Sequence, residues 1–586
     1  MLASWGSYLS FRSPLETVPT KLFILNFLIH LLILNLYQVL DLQHNSLSSL
    51  PSFPRLPTLR ALLLSHNKLR ELPSHLPLPS LNSLSLSHNH LRRLPPTLLA
   101  DTKNISILLL QSNKLASLPE AVTSLPLLRS LDLGDNRLAS LPASHLQGLP
   151  ALHGLRLEGN RLTELPKPSA LDNLPTLEVN PDFCIPVLFM LQVLNLARNS
   201  LPTLPQETFA GLPRLQALRL DANRMTDING LLTAQTQLRW LNVSSNQLQW
   251  FDYAFIPKQL EWLDLQQNTI EELGNYYQLG EGFSLTTLLA GHNRITMLSP
   301  VSLLHSLRVI DVSSNSIQEV APNTFLPLGN LSSVSLAGNL LSSLPLAALA
   351  LAPSAANSRP QFRIGGNPIL CDCRVDYLVK AKQLALTGHY PHLMDLQQVT
   401  CLLPRPGLPS LPLLATPASH FLCPYTAHCF ALCQCCDFFA CDCRMQCPDG
   451  CTCFHDSTWT NNVIDCSARG HTSLPALIPM DATSLHLDGN KLGNVLLRQA
   501  FIGRKKVASL FLNSSQLSTL GPRALAGLTE LQILNLGDNL LTELRGDEFA
   551  NLTGLQELHL QHNRLQSIHH ETFANLSSLQ VGPIVP

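Results

Sequence analysis

The sequence predicts a repeat solenoid of the α/β class, in which short parallel β-strands stack one per turn. Leucine supplies 129 of the 586 residues, more than one in five. The template LxxLxLxxNxL recurs along most of the chain, as in LQALRLDANRM at residues 215–225. A template that returns at a nearly fixed period indicates an array whose units bury their apolar sides against each other, because no unit could do so alone.

The asparagine of the template sets the period of the first array. The alternating leucines of each repeat point to one side of a short strand, so stacked strands form a continuous core. The asparagine turns the chain after the strand, where its amide satisfies backbone groups that would otherwise be unpaired. We therefore predict a row of asparagines inside the solenoid. They return every 22 to 25 residues, apart from one step of 39, at Asn45, Asn67, Asn89, Asn113, Asn136, Asn160, Asn199, Asn223, Asn246, Asn268, Asn293, Asn315 and Asn339.

One aromatic residue in many repeats is predicted to fill the space behind the strand. It belongs to the continuation LPxxxFxxL, and we expect it in the core at Phe209, Phe325, Phe549 and Phe573. The long step of 39 residues contains Cys184, which stands apart from the other cysteines. We interpret this step as an insertion loop, a decayed repeat or a fault in the sequence, with pairing of Cys184 to another molecule as an alternative.

The other fourteen cysteines lie between residues 371 and 466, which indicates an oxidising compartment. The first group starts with the sequence CDC and resembles the C-terminal cap of extracellular leucine-rich-repeat proteins. That resemblance implies the pairs Cys371–Cys401 and Cys373–Cys423, whereas spacing alone allows three connectivities. A later group, which starts with CPDGCTC, looks like the N-terminal cap of a second array. It contains Cys447, Cys451, Cys453 and Cys466.

Six further cysteines stand between these two caps. They could form three disulfides or bind zinc as thiolates, and we favour disulfides because the count is even and the caps are extracellular in type. They are Cys429, Cys433, Cys435, Cys436, Cys441 and Cys443. After the second cap the repeat resumes with Asn490, Asn539 and Asn563, and Ser515 takes the asparagine position of one turn.

The complete prediction is an α/β leucine-rich-repeat solenoid with two tandem curved arrays, separated by disulfide-rich cap modules. The parallel β-strands form the concave face of each array. Residues 1–39 are a poor signal sequence or a degraded repeat, since polar residues interrupt the apolar run at 22–40. The other segments are the first array at 40–366, the C-terminal-type cap at 367–425, a cysteine-rich connector at 426–446, the N-terminal-type cap at 447–477 and the second, truncated array at 478–586.

Composition excludes several classes of function. Lys plus Arg number 39 and Asp plus Glu number 40, so the chain lacks the basic excess of a nucleic-acid or membrane-surface binder. We find no nucleophile elbow, phosphate-binding loop or metalloprotease helix motif, and expect neither enzyme activity nor a cofactor or metal. Six sequons permit N-glycosylation, at Asn104, Asn242, Asn330, Asn513, Asn551 and Asn575.

The residues between the structural leucines face the concave side, and one group of them is a candidate protein-binding site. Trp240 and Trp262 occupy the same position in consecutive repeats, so their indoles should lie side by side at the strand spacing of about 4.8 Å. Trp250 falls in the same window. An aromatic cluster with a polar rim is typical of a binding hot spot, although the two indoles could simply cover each other. The rim is predicted to contain Arg239, Asn242, Glu261, Asp264 and Gln266, and a glycan at Asn242 would block close approach.

Histidine precedes the anchor asparagine in five repeats. His44, His66 and His88 belong to adjacent repeats and could form a row that titrates near endosomal pH. The other two are His292 and His562. We favour the interpretation that all five are solvated surface residues.

The order of these modules resembles the ectodomain of insect Toll-like receptors, and in particular the long Tollo-like group. The resemblance rests on FLCPYTAHCFALCQCCDFFACDC at 421–443, CPDGCTCFHDSTWTNNVIDCS at 447–467 and LRWLNVSSNQLQWFDYAFIPKQLEWLDLQQN at 238–268. It implies a glycosylated single-pass receptor at the cell membrane, with its repeats on the extracellular side. Such a receptor binds a secreted cystine-knot ligand of the Spätzle class or a partner receptor, as a homo- or heterodimer, and signals in immunity or development.

The chain stops at VGPIVP within the second array. The membrane anchor that the resemblance implies for the full-length protein is absent from this sequence, so we expect a fragment of a receptor, or a secreted protein if the chain truly ends there. The alternative function is a leucine-rich-repeat adhesion protein or a secreted decoy without signalling, since fold alone does not separate these classes.

Overall fold

The structure is a computed structural model that describes residues 8–10, 38–146, 148–165, 190–206, 208–279, 281–353, 359–404, 409–429, 444–493, 495–497, 500–574 and 576–580. The chain forms two compact units. The first unit contains Met1–Leu341, Ala347–Asn367 and Ala385–Asp395. The second contains Ser342–Leu346, Pro368–Leu384 and Leu396–Pro586.

A parallel sheet of sixteen strands runs through the described part of the first unit. Each turn of the solenoid adds one strand beside the previous one, as the repeat predicts. The leucine at the centre of a strand is buried, for example Leu62, Leu84 and Leu108. The strands are Tyr8–Ser10, Val39–Asp41, Ala61–Leu63, Ser83–Ser85, Ile107–Leu109, Ser130–Asp132, Gly154–Arg156, Val193–Asn195, Ala217–Arg219, Trp240–Asn242, Trp262–Asp264, Thr287–Leu289, Val309–Asp311, Ser333–Ser335, Gln361–Arg363 and His392–Leu393.

The predicted row of asparagines is present, and it joins consecutive turns. Asn246 is typical: its Oδ1 accepts from the backbone N–H of Met225 at 3.0 Å in the preceding turn. Its Nδ2 donates to the carbonyl oxygens of Leu220 and Val243, at 3.0 Å each, one in each turn. A buried amide therefore satisfies three backbone groups that the turn leaves without a partner.

The second unit contains a seven-stranded sheet in its described residues. Its first three strands pair antiparallel as a cap, and the rest are parallel turns of the second array. Ser515 replaces the anchor asparagine of one turn: its Oγ donates to the carbonyl oxygen of Leu487 at 3.0 Å, and its own carbonyl accepts from Leu492 at 3.2 Å. The strands are Cys423–Tyr425, Thr452–His455, Asn462–Asp465, Ser484–His486, Ser509–Phe511, Ile533–Asn535 and Glu557–His559.

Smaller elements complete both units. Short strands pair as Phe251–Asp252 with Leu273–Gly274, Met297–Leu298 with Glu319–Val320, Val495–Leu496 with Thr519–Leu520, Glu543–Leu544 with Ser567–Ile568, Ala427–Cys429 with Arg444–Gln446, and Pro368–Leu370 with Thr400–Leu402 and Leu411–Pro412. The α-helices among the described residues are Ala143–Leu146 and Ala381–Ala385. The 3-10 helices there are Glu120–Val122, Tyr253–Phe255, Pro300–Ser302, Leu346–Leu349, Asp376–Lys380, Leu396–Gln398, Leu413–Ala415 and Ala418–His420.

Three of the four predicted core phenylalanines are buried, at positions 209, 325 and 549. The prediction was wrong for Phe573, which is 41% exposed. Phe573 packs against Phe549 of the preceding turn, with ring centroids 6.3 Å apart, but it belongs to the last turn that the structure describes. No later described turn covers its other face.

Four disulfides lie in the described residues of the two caps. In the first cap the pairs are Cys371–Cys401 and Cys373–Cys423, the same connectivity that the family resemblance implies. In the second cap they are Cys447–Cys453 and Cys451–Cys466, which the spacing had left open. The connector cysteines 433, 435, 436, 441 and 443, together with Cys184, lie outside the described residues. Cys429 ends the strand Ala427–Cys429.

Candidate protein-binding site

Trp240 and Trp262 form a parallel stack in the strand row of the first unit. The two residues are in register on neighbouring strands. Their ring centroids are 4.4 Å apart and their planes differ by 5°. The stack follows from the fold, since equivalent positions of adjacent parallel strands lie about 4.8 Å apart. Both side chains are half-buried, so each indole keeps part of its surface in contact with solvent.

Small residues flank the pair on both sides. Trp240 is in register with Ala217 on the preceding strand, and Trp262 is in register with Thr287 on the following strand. Neither residue is large enough to cover an indole face. The outer faces of the stack are therefore open for a flat or apolar group of a partner.

An ion pair borders the pair at the start of the strands. The Arg239 guanidinium lies 3.0 Å from the Glu261 carboxylate, and both side chains are about half exposed or more. Exposed ion pairs contribute little to stability, typically below about 1 kcal/mol. Arg239 and Glu261 form the polar rim that the sequence predicts, and partner groups can replace their mutual contact at small cost.

The floor beside Trp262 is acidic. Asp264 is only 7% exposed, and its Oδ1 accepts from the backbone N–H of Gln266 at 2.9 Å. Burial raises the pKa of Asp264, and the carboxylates of Asp221 and Asp311 raise it further. Gln266 donates from Nε2 to Asp311 at 3.2 Å. Three carboxylates thus share one region of the sheet.

Arg219 is the cation close to these carboxylates, but it is already bound. Its guanidinium donates to both oxygens of Asp221 at 2.9 Å each. The pKa of Arg219 is raised, chiefly by the hydrogen bond to Asp221. Because one of the three carboxylates is matched in this way, the floor keeps an excess of negative charge beside the open face of Trp262.

The structure argues against a glycan at Asn242. Asn242 is 8% exposed, and its Oδ1 accepts from the backbone N–H and the hydroxyl of Ser244 at 2.9 and 2.7 Å. Its position follows the central leucine of the strand, where side chains of neighbouring turns cover it. The expected obstruction of the tryptophan pair by a sugar at this residue therefore loses its basis.

Trp250 lies apart from the stacked pair. It packs edge-on against Phe255 with ring centroids 4.8 Å apart. It lines an open recess of about 720 Å³ together with Gln249, Glu271 and Arg294. Trp250 comes four residues after the anchor Asn246, by which point the chain has left the strand row. The sequence interpretation that grouped it with Trp240 was wrong for this reason.

The histidine row of the first three repeats is a stack. The rings of His44 and His66 have centroids 4.4 Å apart, and those of His66 and His88 4.1 Å apart. All three residues have positive φ, between 52° and 56°, because the turn requires a left-handed residue before the anchor asparagine. They are exposed, as the sequence interpretation favoured. His292 is exposed as well, and His562 contacts Asp538 at 2.9 Å.

The remaining sequons differ in exposure. Asn104, Asn330 and Asn551 are exposed, Asn513 is half-buried, and Asn575 lies outside the described residues. Glycosylation at the exposed three stays a prediction.

Sequence reasoning missed the features that open the site. It did not select Ala217 and Thr287, which are small, or Asp221 and Asp311, which make the floor acidic. Reading one position down successive repeats would have found all four, because stacking brings equivalent positions together.

The repeats also match a known sequence family. The model described as "Leucine rich repeat" matches residues 79–138, 103–162, 126–179, 190–248, 283–341, 482–541 and 529–581, which together make up more than half of the chain. The chain belongs to the leucine-rich-repeat family.

Relatives within this family narrow the similarity. The Drosophila melanogaster protein Toll-like receptor 7 is 46% identical over 292 residues, which are 50% of this chain and 20% of that protein. Osteomodulin of Bos taurus is 37% identical over 83 residues, 14% of this chain and 19% of that protein. The chain thus spans about a fifth of the length of each relative.

Solved structures agree on the fold. Two structures of the Drosophila Toll–Spätzle complex superpose with TM-scores of 0.50 and 0.55, at 21% and 22% identity. They cover 89% and 90% of this chain, and 77% and 71% of the matched chains. The resemblance to an insect Toll-like receptor ectodomain is confirmed, and it indicates an extracellular or membrane-associated protein. None of the helices in the described ranges has the length and apolar character needed to cross a membrane.

Proposed function

We propose that this chain is the extracellular ligand-binding region of a Toll-like transmembrane signalling receptor, and that Trp240 and Trp262 form the centre of its ligand site. The ligand is a secreted protein of the Spätzle-like, cystine-knot class, or a partner receptor chain. The observation that carries the proposal is the stacked tryptophan pair, open on both outer faces and bordered by exposed charges. The similarity to Toll-like receptor 7 supports the receptor class.

The energetics favour a hot spot at this place. Aromatic side chains in the centre of an interface commonly contribute about 2 kcal/mol or more when truncated. Here the indoles are held in place by neighbouring strands, so binding costs little side-chain entropy. The acidic floor at Asp264 and Asp311 selects for a basic group, because a cation over Trp262 would gain contact with both the ring and the carboxylates.

The test measures binding of the chain to a panel of secreted Spätzle-like cystine-knot proteins by surface plasmon resonance. We expect Trp262→Ala to weaken binding by about 30-fold or more, equivalent to about 2 kcal/mol. Trp250→Ala is the matched control and should stay within about threefold of wild type, since Trp250 lies outside the strand row.

Two outcomes would contradict the proposal. Unchanged affinity of a folded Trp262→Ala protein would remove the tryptophan pair from the ligand site. Failure of the wild-type chain to bind any member of the panel or to form receptor dimers, measured by analytical ultracentrifugation, would favour the adhesion or decoy alternative.

A further inference from the structure

The flank of the first array carries a second surface, which is basic. In five consecutive turns the residue directly after the anchor asparagine is a lysine, an arginine or a histidine. The turns are stacked without a break, because the backbone N–H of each residue in this position donates to a carbonyl of the preceding turn at 2.8 or 2.9 Å. Equivalent atoms therefore recur at about one strand spacing, ~4.8 Å. The residues are Lys68, His90, Lys114, Arg137 and Arg161.

Three more arginines widen this row in its first turns. Arg70, Arg92 and Arg93 follow two or three residues later in the chain, and all three are exposed. An open recess of about 680 Å³ lies among them, and Glu71 is the one acidic residue in its lining. Its other lining residues are Arg70, His90, Arg92, Arg93 and Lys114. We call the eight basic residues of both groups the basic flank.

None of the seven lysines and arginines of the basic flank forms an ion pair with another residue in the part of the chain that the structure describes. Like charges at such spacing repel, by about 1 kcal/mol for a pair 4 Å apart in water. The fold does not require them, since the same position holds Ser46, Ser200 and Thr269 in other turns. A row of unmatched cations is a cost to folding that an anionic ligand would remove.

We propose that the basic flank binds a sulfated polysaccharide. Arginine presents a planar fork of donors that fits a sulfate as it fits a phosphate. The cations lie in a line over five turns, which suits an extended, regularly charged chain. The lining of the recess contains no aromatic side chain, which single-stranded nucleic acid uses for stacking, and no large apolar side chain that would enter a lipid layer.

The setting and the charge balance are consistent with this ligand class. The disulfide-bonded caps indicate an extracellular protein, where sulfated polysaccharides are the abundant linear polyanions. The net charge of −1 for the whole chain conceals the basic flank, because the acidic residues lie elsewhere, for instance at the floor beside Trp262. This site is independent of the ligand site at Trp240 and Trp262.

The test uses the full chain and heparin as the sulfated probe. We expect wild type to bind immobilised heparin at 150 mM NaCl. The double variant R92E/R93E should weaken binding at least about tenfold and lower the slope of log K against log salt by about two, as for the loss of two charge contacts. The variant K505E/K506E, which changes two exposed adjacent lysines of the second array by the same charge, is the matched control and should stay within about twofold.

Other arms make the result decisive. Trp262→Ala should leave heparin binding unchanged, which separates this site from the proposed ligand site. If R92E/R93E does not fold, as judged by circular dichroism, the neutral variant R92S/R93S replaces it, with at least about a fivefold loss expected. Absence of heparin binding by wild type, an equal loss in K505E/K506E, or equal affinity for desulfated heparin or for duplex DNA would overturn the proposal.

Discussion

Each array places one stacked aromatic pair on neighbouring strands, and the two pairs differ in their surroundings. Trp240 and Trp262 in the first array and His486 and Phe511 in the second have the same centroid separation of 4.4 Å and nearly parallel planes. Stacking is therefore a consequence of strand spacing for any two flat side chains in register. Stacking alone does not identify a binding site.

What distinguishes the pairs is the residue on either side. The histidine–phenylalanine pair is in register with Asp465 on one side and Asn535 on the other. His486 is 9% exposed, and Ser484 Oγ lies 3.0 Å from its Nε2. The tryptophan pair has alanine and threonine at the corresponding places. The second array thus encloses its pair with longer polar side chains, whereas the first array leaves its pair open.

Filling the open side should convert the first pair into the enclosed type. We expect Thr287→Arg to place a guanidinium over Trp262 and near the acidic floor, where it can form cation–π and ionic contacts. Ligand affinity should fall by about 30-fold or more, and the melting temperature should stay the same or rise slightly. The measurement is surface plasmon resonance with the Spätzle-like panel, together with calorimetry.

The control for this variant is Ser333→Arg. Ser333 occupies the same strand position two strands further along, beyond Val309. It should leave the affinity unchanged. An equal loss in both variants would show that bulk or charge on the strand row matters, rather than access to the indole face.

Truncating the enclosed pair should affect stability and not binding. Phe511→Ala removes a half-buried ring, so we expect the second unit to lose about 1–2 kcal/mol, less than the 3–5 kcal/mol of a fully buried phenylalanine. Urea unfolding followed by circular dichroism measures this loss. Affinity for the panel should stay within about threefold, and a larger change would mean that the second array contributes to the same ligand site.

The acidic floor predicts an opposition between stability and binding. Because burial and neighbouring carboxylates raise the pKa of Asp264 above 3.8, its charged form is less favourable in the folded chain than in the unfolded chain. Its contribution to stability is therefore fully present below pH 3.8 and is lost as the pH rises through the raised pKa. Asp264→Asn should thus increase stability at neutral pH by about 0.5–1 kcal/mol, allowing for solvent screening.

The asparagine can keep the local hydrogen bond, since Asn242 makes the same contact with Ser244. Thermal unfolding at pH 7 and pH 4 measures the stability difference, which should shrink at the lower pH. Affinity for a basic ligand should decrease severalfold at pH 7. A variant that is both less stable and fully active would contradict the assignment of the acidic floor.

The sequence predicted those features that depend on the repeat period. The period fixes the register, so the asparagine row and the stacking of Trp240 on Trp262 followed from counting residues. Burial at Asn242 and the separate position of Trp250 did not follow, because they depend on where the chain leaves the strand and on which side chains cover it. The basic flank was missed since net charge averages over surfaces that the fold keeps apart.

The histidine stack of the first three turns should show the smallest effect. Burial lowers the pKa of His66, and the charges of His88 and His44 lower it further. The neutral form is therefore favoured in the folded state, and stability present above pH 6.5 is lost as the pH falls from 6.5 through the lowered pKa. The exposure of these rings keeps the effect small.

We expect the melting temperature of wild type to fall slightly between pH 7.5 and 5.5, and His66→Gln to reduce that fall. His292→Gln is the matched control, because its turn has Gln267 and Ser314 as neighbours in the stack, in place of other histidines. An unchanged pH dependence in His66→Gln would mean that the three imidazoles are stacked without electrostatic coupling. They would then resemble the enclosed pair of the second array in geometry alone, since stacking in register needs neither charge nor ligand.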